Sequence, residues 1–136
     1  MMIAYAQYYN DARIQSYVHA WLDRGARVDV FCLRDPVPAP NDSGRLAVHG
    51  WLEKYQGGSA LRYLISYVRF FVGTRRRVRA LLRRYRYDVV HVHNMPDALV
   101  FCVPGAGGRA LRRYGVLILD MHDVMPAAAL AKFTGW

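Results

Sequence analysis

Three polar residues, Asp120, His122 and Asp123, follow the apolar run that begins at Val116 (VLILD). An imidazole at such a place changes charge near neutral pH and hydrogen-bonds hydroxyls or phosphates, and a neighbouring carboxylate can orient it. A second group, His91, His93 and Asn94, closes the run Asp88–His93 (DVVHVH). His91 and His93 alternate, so within a strand they share one face. His-x-His also has the spacing of a metal pair, but no convincing third or fourth ligand accompanies it, and no metal is expected. Each group has a plainer reading as well. Asp123 before an apolar run is an N-cap signal. His91 inside a β-rich run is a packed core histidine, and Asp97 is a start for the next helix. Arg13, in QYYNDAR (Gln7–Arg13), is either a charge facing a phosphate or a surface residue in the first turn of a helix.

These residues need a scaffold, and the periodicity supplies one. Met2–Ala6 reads as a strand. Asn10–Arg24 carries Ile14, Tyr17, Val18, Trp21 and Leu22 at helical spacing, and Gly25 stands where a helix C-terminus wants glycine. Arg27–Leu33 is β-rich, so the opening is a strand–helix–strand unit that favours a parallel sheet. Asp35–Gly44 holds three prolines and an Asn-Asp-Ser-Gly run, which marks a loop. Arg45–Trp51 is a third, edge strand. Ser59 is a candidate N-cap for a helix from Ala60 to about Arg86, with Leu61, Leu64, Val68, Phe71, Val78, Leu82 and Tyr85 along one side. Asp88–His93 and Val116–Asp120 are buried-type strands, and Ala127–Phe133 resembles a helix. The pattern predicts a three-layer α/β domain over 1–136, with a mostly parallel sheet and helices on both faces. Both His groups then fall at the C-terminal edge of the strands, where open α/β sheets bind ligands. Gly105-Ala106-Gly107-Gly108-Arg109-Ala110 satisfies a dinucleotide fingerprint in letters, but too few residues follow before the next strand to build the helix it needs.

Composition narrows the partners. The chain has 19 Lys plus Arg against 10 Asp plus Glu. Seventeen of those cations are Arg, whose planar fork grips carboxylates and phosphates. Cys32 and Cys102 sit in apolar runs and read as buried thiols, not a disulfide scaffold. The opening lacks a signal-peptide pattern and no apolar run spans a bilayer, so the expected compartment is the cytoplasm.

The segments YDVVHVHNMPDALVF (Tyr87–Phe101) and VLILDMHDVMPAAALAKF (Val116–Phe133) resemble the N-terminal domain of family 4-type GT-B glycosyltransferases. The opening IAYAQYYNDARIQSYVHAWLDRGARVDVFCLR is similar to that family's first strand, Asp-x-Arg loop, helix and second strand. The resemblance implies a Rossmann-like domain that forms one half of a GT-B architecture and binds the acceptor, a glycan or lipid-linked molecule. Related enzymes often place glycines in the loop after the first strand; here that loop is bulky and aromatic. The donor-binding half is not matched in this chain. Activity is therefore expected only when such a domain, possibly separate, completes the site. The implied reaction is hexosyl transfer from a nucleotide-sugar donor without a metal or other cofactor, in polysaccharide or glycolipid biosynthesis. The implied site places His122 and Asp123 at the reaction centre, with Arg13, His93, Asn94 and Asp120 binding substrate. The alternative is an inactive truncated or orphan domain that serves as a partner- or membrane-binding module.

One further feature stands apart from these motifs. Residues 62–86 contain nine Arg and no acid. Arg62, Arg69, Arg76 and Arg83 recur every seven residues and form one stripe. Such a helix fits the surface of an anionic membrane, placing the protein peripherally on its cytoplasmic face. A solvated basic face is the plainer reading. Nucleic acid is not expected, since no reading module accompanies the charge.

Overall fold

A computed structural model describes residues 1–36, 44–93, 97–106 and 114–120. Among these residues are five strands and two α-helices: β1 (Met2–Gln7), α1 (Ala12–Asp23), β2 (Val28–Leu33), β3 (Leu46–Leu52), α2 (Ala60–Arg84), β4 (Tyr87–His93) and β5 (Tyr114–Asp120). The strands form one sheet in the order β3-β2-β1-β4-β5, and every pairing is parallel. The expected mostly parallel sheet is thus parallel throughout its described strands, and β3 lies at an edge as anticipated.

Alternation along the strands feeds two apolar layers. Met2, Ala4, Val28, Val30 and Cys32 pack with Ile14, Val18 and Leu22 of α1. Ile3, Phe31, Leu33, Val90 and Val92 point the other way and pack with Tyr67, Phe70, Val78 and Leu82 of α2. One helix therefore covers each face, which defines a three-layer, Rossmann-like domain.

Local chemistry fixes the ends of the helices. The Asp11 carboxylate accepts from the backbone N–H groups of Arg13 and Ile14, so α1 starts at Ala12, two residues after the expected Asn10, which instead closes a 3-10 turn, Tyr8–Asn10. Gly25 follows α1 with φ +79°, the left-handed backbone that ends helices. Ser59 Oγ accepts from the N–H of Arg62 and caps α2.

The apolar side expected for α2 divides in two. Val78 and Leu82 are buried, but Leu61, Leu64 and Val68 are about half or more exposed, at 67%, 54% and 49%. The buried positions in that half of the helix are Tyr67, Phe70 and Thr74. Hydropathy favoured the aliphatic row, and packing selected the aromatic one. Tyr5 of β1 meets Tyr67 and Phe70 edge-on, with ring centroids 5.3 and 5.1 Å apart. Trp51 stacks on Phe70, and the Arg77 guanidinium lies over the Trp51 ring. Gly73 makes that fit possible, because any Cβ there would collide with the Trp51 indole. Among the described residues, no helix is long and apolar enough to cross a membrane.

Candidate functional site

The C-terminal edge of the sheet begins with the turn after β1. Its backbone is held from β2's side, where Asp35 accepts hydrogen bonds from the N–H groups of Tyr8 (2.9 Å) and Tyr9 (3.3 Å). Gln7 Nε2 donates to the carbonyl of Arg34, and Gln15 Nε2 donates to those of Tyr8 and Tyr9. The aromatic loop is therefore braced internally. Its two N–H groups serve a carboxylate of the same chain, where a glycine-rich loop would offer them to a phosphate. Asp35 was absent from the sequence-based candidates, because its partner lies across a parallel pair. Arg13 is exposed in the first turn of α1, at this same edge.

The second part of the edge joins β4 to β5. In their parallel register, His91 pairs with Ile118 and His93 with Asp120. Both imidazoles lie on the α1 face, and the Tyr17 ring of α1 packs against them at centroid distances of 5.0 and 5.3 Å. The two imidazoles are themselves 3.8 Å apart between centroids. His93 is 1% exposed, and its Nδ1 lies 3.4 Å from Asp120 Oδ2. Spacing along the chain had made His91 and His93 a pair without a third member. The sheet supplies that member from a strand 27 residues further on, so one donor atom from each of His91, His93 and Asp120 fits within 4.8 Å of the other two. Counting parallel register between the two apolar runs is the signal that finds it. Asn94, His122 and Asp123 lie outside the described residues, as do the glycine-rich stretch from Gly107 and the helix expected over Ala127–Phe133.

A different cluster lies toward the opposite, N-terminal edge. His49 Nε2 is 2.7 Å from Asp29 Oδ1, and the Tyr87 hydroxyl donates to Asp29 Oδ2 at 2.8 Å. Burial pushes the Asp29 carboxyl up, but the hydrogen bonds from His49 and Tyr87 outweigh it and hold the group below the usual carboxylate value. A cavity of about 660 Å³ opens beside this cluster, lined by Arg27, Asp29, Tyr85, Tyr87 and Asp88 among others. It sits away from the edge at which the βα loops leave the sheet. The free thiols Cys32 and Cys102 are both buried, as expected, and burial pushes each up to about 12. Neither is a nucleophile at neutral pH.

A Rossmann-like domain with polar side chains gathered at its C-terminal edge is the class that this fold and site define. Residues 11–136 match the glycosyl transferase 4-like domain, and the chain belongs to that family. Glycosyl transfer is thus the general role of the domain. No curated protein and no solved structure matches the chain.

Proposed function

We propose that this domain is the acceptor-binding half of a glycosyltransferase that moves a hexose-type sugar from a nucleotide-diphosphate donor to a glycan or lipid-linked acceptor. The register pair His93–Asp120 carries the reading, because it sends the chain out of β4 and β5 toward one edge. Asn94 follows His93 directly, and His122 and Asp123 follow two and three residues after Asp120. On this reading His122 meets the reacting sugar or the acceptor hydroxyl, with Asp123 beside it. His93, Asn94 and Asp120 line the acceptor side, and Arg13 faces a phosphate. A second Rossmann-like domain, in the same or a separate polypeptide, holds the nucleotide. Its helix N-termini and basic groups stabilise the leaving diphosphate, so the transfer step requires no metal.

The test is transfer measured with a complete donor half supplied. His122→Ala should lower turnover by about 100-fold or more, the usual contribution of a positioned acid or base. Unchanged turnover would remove His122 from the mechanism.

An anionic membrane is the third participant in this reading. Leu61, Leu64, Ile65, Val68 and Val72 make an exposed apolar row on α2, and Arg62, Arg69, Arg76 and Arg83, all exposed, run beside it. Apolar and basic rows side by side suit a helix lying in the headgroup region, where each basic residue contributes about 1 kcal/mol. Vesicles containing phosphatidylserine should sediment the protein in low salt and release it in high salt, whereas neutral vesicles should not. Equal binding to both would reject the electrostatic part of this account.

A further inference from the structure

We infer that His91, His93 and Asp120 form a binding site for one zinc-type divalent cation. This goes beyond the transferase reading: His93 and Asp120, set on the acceptor side there, would hold the ion, and its binding is measured without any transfer. Two imidazoles and one carboxylate are the donor set of three-ligand zinc sites, which keep a fourth position for water or another group. The three residues come from two hydrogen-bonded parallel strands, so the backbone already fixes their spacing.

Metal–ligand bonds of about 2.0–2.1 Å place tetrahedral donor atoms roughly 3.3 Å apart. The His93–Asp120 pair, at 3.4 Å, is already at that separation. The widest separation among the three donors is at most 4.8 Å, which rotation about the soft ring and carboxylate torsions can close. Burial favours the site. His93 and His91 are 1% and 6% exposed, and Tyr17 packs on both rings and limits their orientations. The Asp120 side chain keeps 21% of its surface open, which gives an ion a route in from solvent.

The site differs from the other His–carboxylate contact. At Asp29, Tyr87 and His49 each take one carboxylate oxygen in short hydrogen bonds, and among the described residues no second imidazole groups with them. That arrangement completes a carboxylate without building a ligand cage.

The experiment uses the tag-free 136-residue chain, stripped with chelator and titrated with Zn²⁺ by calorimetry and with Co²⁺ by visible absorption. The expected result is one equivalent bound, with a Co²⁺ spectrum of low coordination number that Zn²⁺ abolishes. Asp120→Asn and His91→Gln should each weaken binding by about tenfold or more, while His19→Gln and His49→Gln leave it unchanged. Absence of both heat and absorption with the wild-type chain would overturn the proposal, even if a variant failed to fold. Undiminished affinity in folded Asp120→Asn and His91→Gln would overturn it equally.

Discussion

The two ends of this sheet each hold a histidine against an aspartate, and they have been put to different uses. Toward the N-terminal edge, Asp29 receives short hydrogen bonds from His49 of the neighbouring β3 and from Tyr87 of β4, which lies beyond β1. The group is a cross-brace, and its energy lies in stability. At the C-terminal edge, His93 and Asp120 stand 3.4 Å apart where two strands end, with His91 alongside. The same two residue types make a strut in one place and a set of converging donors in the other. What separates them is the position along the strand and the second imidazole, His91, that packs against His93.

The sharpest way to break this contrast is to remove each carboxylate and measure chemical denaturation. Asp29→Ala leaves the Tyr87 hydroxyl and the His49 ring without their acceptor, and should cost about 2 kcal/mol. Asp120→Asn preserves shape at a partly open position and should cost less than about 1 kcal/mol. Equal losses would erase the distinction.

Acid titration sharpens it further with a smaller effect. The Asp29 carboxyl is held below its ordinary value in the folded chain, so the unfolded chain takes up the proton first as pH falls. Its stabilising contribution is complete above the unfolded value of about 3.9 and disappears as pH drops through the folded one. The wild-type protein should therefore lose stability more steeply than Asp29→Asn on the acid side. Parallel acid branches would show that the brace contributes nothing through its charge.

The scaffold was largely legible in the sequence, because strand alternation and helix spacing are local properties. Gly25, Ser59 and the edge position of β3 all emerged where turn chemistry and pattern placed them. The buried side of α2 was not legible. Leu61, Leu64 and Val68 satisfied the hydropathy rule, but Tyr5 and Trp51 select an aromatic surface, which only the folded sheet brings to the helix. The site divides in the same way. His91 and His93 announced themselves by alternation, whereas Asp35 and the convergence of Asp120 depend on register between strands distant in sequence. The aliphatic row of α2 is left exposed because the aromatic row takes the core positions, and it is the face proposed to meet a membrane.

The proposed acceptor site requires that Asn94, which follows β4, and His122, which follows β5, come close to one another. Cross-linking tests it directly, with cysteines at Asn94→Cys and His122→Cys and a short bismaleimide. The native thiols stay silent, since both are buried and pushed up to about 12. An intramolecular cross-link between positions 94 and 122 is expected, seen by mass spectrometry of the folded protein. Two singly capped cysteines with no link between them would contradict it.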